Sequence, residues 1–305
     1  MESDNSLMSA TREDLERAAA MLDASGDYRV LRRLNPRSTY CEGDSSDKKI
    51  GIVLDVETTG LDPAKDEVIE LGMVKFEFAS DGRIFGILGS FDQLRQPSIP
   101  IPADIIRLTG ISDADVAGQA IDGDQVAEFV AKAAVIIAHN AGFDRKFCER
   151  AWPLFEQKAW ACSANQVDWR AEGYEGSRLG YLLAGCGFFH DAHRADTDCA
   201  ALIEVLSRPL PVSGELALKR LLDTARHATA RVWAVNSPFD LKDVLKSRGY
   251  RWNDGTDARP KSWWIDVPED QLEAEKAFLR KEVYGWEADI PSTKITAFDR
   301  FSERV

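Results

Sequence analysis

Asp55 and Glu57 are separated by one residue and directly follow a short apolar run in this 305-residue sequence. Residues 50–54 are rich in β-branched side chains and have polar neighbours, which predicts a buried strand. Alternate residues of a strand face the same side, so both carboxylates would point together. Two carboxylates that are buried close together lose their hydration and repel each other unless a cation lies between them. Their oxygen atoms are ligands that suit Mg²⁺ or Mn²⁺. The pair alone leaves two interpretations open: incidental acids at a solvated strand end, or two ligands of a metal site.

Three further residues could complete such a site. Asp144 follows a predicted strand at 133–138 and a turn, Asp198 lies early in a predicted helix at 195–206, and His193 precedes that helix. Four carboxylates and a histidine are the set that two-metal phosphodiester hydrolysis needs, because two divalent ions hold the attacking and the leaving oxygen. A histidine can take the proton from the attacking water.

The order of these residues resembles a known family. Asp55-Val56-Glu57-Thr58-Thr59-Gly60, His139-Asn140-Ala141-Gly142-Phe143-Asp144 and His193-Arg194-Ala195-Asp196-Thr197-Asp198 are similar to the three motifs of the DEDDh exonucleases, and Leu108-Thr109-Gly110-Ile111 is similar to a connection in that family. The family includes proofreading subunits of bacterial DNA polymerase III and RNA-trimming enzymes. The resemblance covers residues 49–207. It implies a ribonuclease H-like α/β fold, 3′-to-5′ exonuclease activity and two Mg²⁺ or Mn²⁺ ions.

The resemblance also implies residue roles. Asp55, Glu57, Asp144 and Asp198 would hold the metal ions, and His193 would be the general base. Asp196 is the competing candidate for the fourth ligand, but the family spacing favours Asp198. The residues expected to lie near a 3′-terminal nucleotide are Thr58, Thr59, Gly60, Leu61, His139, Asn140 and Phe143, with Leu61 as a wedge against the base. For His139 a structural hydrogen-bonding role is favoured over catalysis, and the lone His190 and His227 are expected to be structural.

The elements around these residues predict an α/β fold, with a mixed sheet flanked by helices and a small C-terminal α+β module. Residues 1–48 are expected to form a helical extension and a linker, and residues 49–207 the exonuclease domain. The proline-bearing stretch 208–214 is predicted to be a linker to the module at 215–305.

In that module aromatic and basic residues alternate, as in proteins that stack bases and bind phosphates. Arg248, Tyr250, Arg251 and Trp252 are predicted to form an exposed strand-binding corner. The competing interpretation places most of the module's tryptophans in its core.

Charge and composition restrict the function classes. Residues 209–305 carry 16 basic and 16 acidic residues, so residues 1–208 carry the whole net charge of −13. Such an acidic domain argues against tight non-specific DNA binding, but not against an enzyme that meets phosphate through metal ions. We expect no membrane segment and a reducing cytoplasm, because no apolar run is long enough to span a bilayer and the five cysteines are scattered.

Three functions remain open from the sequence. The leading prediction is a 3′-to-5′ exonuclease that acts on single-stranded or frayed DNA ends in proofreading or repair, with a polymerase or repair protein as partner. The second is an exoribonuclease that trims RNA. The third is an adaptor subunit of a polymerase or repair assembly, whose binding surface would be residues 29–33 or 248–252.

Overall fold

The computed structural model describes residues 11–256 and 259–305, so the first ten residues of the expected extension lie outside it. The extension contains helix α1 (Arg12–Ser25), which Thr11 and Asp14 cap reciprocally, as Thr-x-x-Asp spacing favours. Strand β1 (Arg32–Arg33) follows and pairs in parallel with a two-residue strand much later in the chain. Within the described residues, no helix is long and apolar enough to cross a bilayer.

A five-stranded mixed sheet forms the centre of the larger part of the chain. Strand β2, which carries Asp55 and Glu57, is its middle strand; it pairs antiparallel with β3 and parallel with β5, and the order is β4-β3-β2-β5-β6. These strands are β2 (Lys48–Thr58), β3 (Val68–Ala79), β4 (Ile84–Leu94), β5 (Val135–Ala138) and β6 (Trp160–Cys162). Strand β6 was not predicted, because three apolar residues carry no alternation. The predicted α/β class with a mixed sheet is confirmed.

Helices cover both faces of this sheet. They are α2 (Ala103–Thr109), α3 (Asp113–Val116), α4 (Gly123–Val130), α5 (Ala141–Ala151), α6 (Ser163–Gln166), α7 (Leu179–Gly185), α8 (Ala195–Leu206) and α9 (Ala217–Arg226), with β7 (Phe188–Phe189) between α7 and α8. Along β2 the side chains alternate between two cores. Val53 packs with residues of α7, α8 and α9. Ile52 and Leu54 pack with residues of α4 and α5. The alternation therefore puts Asp55 and Glu57 in the same row as Val53, on the side of α8.

The C-terminal part contains a second, four-stranded antiparallel sheet, so the predicted α+β module is present. Its order is β11-β8-β10-β9. The elements are β8 (Thr229–Ala234), α10 (Lys242–Ser247), β9 (Arg251–Trp252), β10 (Trp263–Pro268), α11 (Leu272–Phe278) and β11 (Ser292–Ile295), and a π-helical turn at Leu279–Tyr284 follows α11. The register pairs Ile295 with Thr229, so the last strand of the module ends beside the first residue of β8.

Packing is continuous across residues 208–214, the predicted linker. Leu210 is buried in the core that covers one face of the large sheet. The backbone N–H groups of Val212 and Ser213 both donate to Glu172, each at 3.0 Å. Helix α9 packs on the same core through Leu218 and its neighbours. The division of the chain at 208–214 stays a prediction, and the large core extends beyond it to the end of α9.

The segment 296–305 returns from the small module to the large sheet. Its Ala297 carbonyl accepts from the backbone N–H of Trp160 in β6, at 2.8 Å. Its carbonyls at Ala297, Phe298 and Arg300 also accept from the guanidinium of Arg145, which is fully buried. Because three carbonyls and Glu149 solvate this buried cation, the C-terminal segment is fastened to α5, the helix that carries Asp144.

Candidate active site

Three of the four predicted metal ligands lie close together at the end of β2. Oxygen atoms of Asp55, Glu57 and Asp198 can be chosen that all lie within 4.8 Å of one another. Asp55 and Glu57 come from one strand, and Asp198 comes from the first turn of α8. All three side chains are partly buried. This grouping unites two elements that are about 140 residues apart in sequence.

Asp144 lies next to this cluster but has a second attachment. It is in the first turn of α5 and is buried, and its Oδ1 accepts from the backbone N–H of Val56 at 3.2 Å. Val56 stands between Asp55 and Glu57, so this bond fixes α5 against the strand that carries both acids. The structure does not place Asp144 in the tight group of three, and its role as a ligand stays a prediction.

The pKa values of Asp55, Glu57 and Asp144 are raised in this site. Burial raises the pKa of Asp55 well above its ordinary value, and the charges of Asp144, Asp198 and Glu57 raise it further. Burial, followed by the charge of Asp198, raises the pKa of Glu57 to about 8. Burial also raises the pKa of Asp144 to about 7, although its backbone hydrogen bonds oppose the rise. Crowded, dehydrated acids of this kind fit a divalent cation, because the cation removes the repulsion that raises these pKa values.

The start of α8 is placed by a close contact and by a buried acid. Gly72 pairs with Asp55 across the sheet, and a Cβ there would lie 2.5 Å from the backbone carbon of Ala195. Glu70 is fully buried and accepts from the backbone N–H of Ala195 at 3.0 Å and from Arg194. These contacts bring the first turn of α8, and with it Asp198, against β2 and β3.

Two histidines approach Asp198 in different ways. His193 adopts a positive φ of 67°, and its backbone N–H donates to Oδ2 of Asp198 at 2.8 Å. This turn leaves the side chain of His193 exposed beside the cluster, where it lines the cavity. Nε2 of His190 lies 2.6 Å from Oδ1 of Asp198, and its side chain is buried. The sequence predicts only a structural role for His190, because no spacing signal points to its contact with Asp198.

A cavity of about 360 Å³ opens over the acids. Its lining includes most of the residues expected near a terminal nucleotide: Thr58, Gly60, Leu61, His139, Asn140 and Phe143. Leu61 is 81% exposed, and its role as a wedge stays a prediction. Ile105 and Leu179 also line the cavity and were not singled out from the sequence, because apolar helix residues give no separate signal.

Two of the expected contact residues are held by protein groups. Thr59 is buried, accepts from the backbone N–H of Glu67 at 2.9 Å and is not part of the cavity lining. His139 has both ring nitrogens occupied, one by the hydroxyl of Ser163 at 2.8 Å and one by the carbonyl of Ser177 at 2.5 Å. Burial lowers the pKa of His139, which favours its neutral form. Thr59 therefore stabilises the turn after β2, and His139 ties the end of β5 to the start of α6 and to the loop at Ser177.

The predicted corner at 248–252 is only partly exposed. Tyr250 is buried, and its hydroxyl donates to Glu275 at 2.8 Å, so the expectation that it is exposed is wrong. The same carboxylate accepts from Arg248, whose guanidinium also lies over the ring of Phe278. Arg251 and Trp252 are exposed. The sequence did not reveal Glu275 as the partner because it lies on α11, more than 20 residues away.

Comparison with known proteins identifies a family that this chain matches. Residues 52–206 match the family model RNase_T, described as exonuclease. The DNA polymerase III subunit epsilon of Treponema pallidum is 30% identical over 163 residues, which cover 50% of this chain and 73% of that protein. The PolC-type DNA polymerase III of Thermotoga maritima is 35% identical over 235 residues, which cover 72% of this chain. The matched part is only 16% of that protein, so this chain corresponds to a small portion of the PolC-type polymerase.

Solved structures with a similar chain course include two exonucleases bound to DNA. Exonuclease X in complex with 5′-overhanging duplex DNA has a TM-score of 0.41 and 24% identity, over 57% of this chain and 99% of that one. The zinc-bound E. coli exonuclease I complex with single-stranded DNA has a TM-score of 0.48 and 15% identity, over 82% of this chain and 64% of that one.

Proposed function

This chain belongs to the RNase_T exonuclease family, and we propose that it releases nucleoside monophosphates from the 3′ ends of DNA by metal-dependent hydrolysis. The observation that carries the proposal is the convergence of Asp55, Glu57 and Asp198 within 4.8 Å beside an open cavity. The raised pKa values of Asp55 and Glu57 show that these crowded carboxylates repel each other, and bound cations would give them a physical reason to coexist.

Each residue of the site has a place in this reaction. Asp55, Glu57, Asp144 and Asp198 would hold two divalent ions, Mg²⁺ or Mn²⁺, and such ions supply an activated water and neutralise charge on the phosphate and the leaving oxygen. His193, exposed beside Asp198, takes the proton from the attacking water. Burial of the acids excludes bulk water from one side of the phosphate, which strengthens the electrostatic interactions there.

The cavity favours a single, unpaired 3′-terminal nucleotide. Leu61, Ile105, Leu108, Phe143 and Leu179 offer apolar surface to a base, and Thr58 and Asn140 offer polar groups to the sugar. An exposed leucine at the rim can separate the last base from its neighbour only if that base is single-stranded or frayed.

The relatives support DNA over RNA as the substrate. Both are named as forms or subunits of DNA polymerase III, so we include proofreading or repair as the role and a polymerase or repair protein as a partner. RNA trimming is the alternative that a substrate comparison must test. The five cysteines are free thiols, three of them buried, which is consistent with the expected reducing cytoplasm.

The test uses the full chain with a 20-nucleotide DNA carrying a 5′ label or a 3′ label. We expect stepwise shortening of the 5′-labelled strand and early release of a labelled mononucleotide from the 3′-labelled strand, both only with Mg²⁺ or Mn²⁺. Paired, mismatched and single-stranded ends and a matched RNA are compared in the same assay. Release of the 5′ nucleotide first, or full activity in Asp55→Ala, would contradict the proposal.

A further inference from the structure

A second, larger cleft of about 1500 Å³ lies between the four-stranded sheet and the helices that pack on the five-stranded sheet. One wall comes from the large core, through Lys146 of α5, Gln166 of α6 and Arg220 of α9. The other wall is the face of the small sheet that carries Arg231, Arg251 and Trp264. Neither the family resemblance nor the acidic cluster accounts for this cleft.

The strands of the small sheet sort their side chains by face. Val232, Ile265 and Val267 pack into the module's own core with residues of α11. The alternate residues point to the opposite face, where the register sets Arg251 across from Trp264, and Arg231 across from Asp266. On this face Trp264 is half-buried and packs against the buried Trp233, with the two ring centres 6.2 Å apart.

The arginines on this face are organised around Trp264. The guanidinium carbon of Arg231 lies 4.2 Å from the centre of the Trp264 ring, and that of Arg251 lies 5.4 Å from it. Such an arrangement of an aromatic ring and cations on an open sheet is the kind of surface on which single-stranded nucleic acids stack their bases and place their phosphates.

Arg231 shows that this surface has unused binding capacity. Its side chain is only 9% exposed, and its Nε and Nη2 donate to Asp266, each at 2.8 Å. Its Nη1 has no hydrogen-bond partner, and among the described residues no other buried side-chain nitrogen or oxygen lacks one. A buried guanidinium N–H without an acceptor is costly, and an anionic oxygen would satisfy it once the Arg231 side chain turns toward the cleft.

The charges around the cleft leave cations available. Asp266, Asp223, Glu215 and Glu269 line the cleft, but each forms an ion pair with an arginine or a lysine. Within residues 11–256 and 259–305, no carboxylate forms an ion pair with Arg251. Most of the acidic lining is therefore neutralised, with exposed Asp270 as the exception, and exposed Arg251 is open to a phosphate.

The cleft also lies beside the cavity of the acids. Gly142 lines the cleft and its neighbour Phe143 lines the cavity, so the first turn of α5 separates the two. A strand whose 3′-terminal nucleotide lies over Asp55 can therefore continue past this turn into the cleft.

We propose that the cleft faced by Arg231, Arg251 and Trp264 binds the single-stranded DNA that precedes the 3′-terminal nucleotide. The proposal rests on the proposed exonuclease function for the direction of the strand. Of the corner predicted at 248–252, this surface includes only Arg251. Trp264 stacks a base, and the two arginines bind the adjoining phosphates.

The test compares a short and a long substrate on the full-length chain. Thymidine 5′-monophosphate p-nitrophenyl ester occupies only the cavity, whereas a 20-nucleotide oligo(dT) would reach the cleft. The variants are Arg251→Ala, Trp264→Ala and Arg231→Lys, the last of which keeps a cation opposite Asp266 but removes the forked guanidinium. Lys281→Ala is the matched control, because it removes an exposed charge of the same module at a residue that does not line the cleft.

We expect each cleft variant to bind oligo(dT) about tenfold more weakly, with hydrolysis of the ester unchanged and Lys281→Ala like wild type. Arg251→Ala removes an exposed side chain, so it tests the proposal even if Trp264→Ala fails to fold. Wild-type affinity for oligo(dT) in Arg251→Ala and Arg231→Lys would overturn the cleft site. Tighter binding of a matched RNA would overturn its assignment to DNA. If wild-type protein hydrolyses neither substrate, the proposed exonuclease function itself fails.

Discussion

Nε2 of His190 lies 2.6 Å from Oδ1 of Asp198, while the backbone N–H of His193 donates to Oδ2 of the same carboxylate. Both oxygens of a proposed metal ligand are therefore oriented by its own loop. Groups that hold a ligand in place typically contribute 10- to 100-fold to metal affinity or activity. We expect His190→Ala to weaken Mn²⁺ binding about tenfold, measured by calorimetry, and His190→Asn to restore part of it because an amide N–H can replace the ring donor. Equal Mn²⁺ affinity in wild type and His190→Ala would show that this contact does not position Asp198.

Asp198 and Asp196 form a matched pair for testing the ligand set. Asp198 faces Asp55 and Glu57, whereas Asp196 is exposed two residues away and its Oδ1 accepts from the backbone N–H of Thr197. We expect Asp198→Asn to lower kcat for release of mononucleotides by about 10³-fold or more, because a neutral amide holds a divalent cation poorly. Asp196→Asn should keep activity within about twofold of wild type. Loss of activity in Asp196→Asn alone would reverse the assignment of these two acids.

His193 tests the proposed proton transfer separately from metal binding. His193→Ala should lower kcat about 10²- to 10⁴-fold while Mn²⁺ affinity stays near that of wild type, because its side chain is exposed and only its backbone contacts Asp198. A His193→Ala variant with wild-type kcat would show that another group takes the proton.

The acids predict how the metal-free protein responds to pH. The folded chain keeps a proton on Glu57 up to a pKa of about 8, whereas the unfolded chain loses it near 4.5. Because the folded state binds more protons across this window, its free energy of unfolding in EDTA falls as pH rises from about 4.5 to about 8, by on the order of 3 kcal/mol. Urea unfolding at pH 5 and pH 8 measures this loss. Mg²⁺ should restore stability most at pH 8, and Glu57→Gln should flatten the dependence; an unchanged slope in Glu57→Gln would assign the effect to other groups.

Glu70 should affect both stability and the position of Asp198. Its replacement by Ala leaves the buried N–H of Ala195 without an acceptor and Arg194 without its partner, so we expect a loss of about 2–3 kcal/mol in urea unfolding and a lower kcat. Glu77→Ala on the same strand is the control, because its pair with Lys48 is partly exposed and should cost less than about 1 kcal/mol. A Glu70→Ala protein with wild-type stability would show that water replaces this buried acid.

Much of the site could be predicted from the sequence because its residues lie at the ends of regular elements. Asp55 and Glu57 follow from strand alternation, and the predicted helix at 195–206 has the observed bounds of α8. What could not be predicted depends on contacts between distant segments. The bond from His190 to Asp198 requires a loop conformation with a positive φ at His193, which local propensity does not reveal.

The C-terminal part also contains contacts between distant segments that could not be predicted from the sequence. Tyr250 is next to exposed basic residues in sequence, yet Glu275 and the module's core bury it. The return of residues 296–305 to Arg145 has no sequence signal, because backbone carbonyls supply the contact and any residue carries one. The backbone N–H of Trp160, in β6, donates to the carbonyl of Ala297 in the same segment, which is another contact without a sequence signal.

Thr229, the first residue of the small sheet, pairs with Ile295, the last one. The small module therefore begins and ends at the same place and is inserted into the larger part of the chain. Both of its connections enter the large core: α9 before it packs beneath the sheet, and residues 296–305 after it bind Arg145. A double attachment of this kind restrains rotation of the module about either connection, so the width of the cleft is fixed more firmly than a single tether would allow. Residues 229–295 could also be exchanged for a short turn without opening the large core, whereas truncation after residue 208 would remove part of that core.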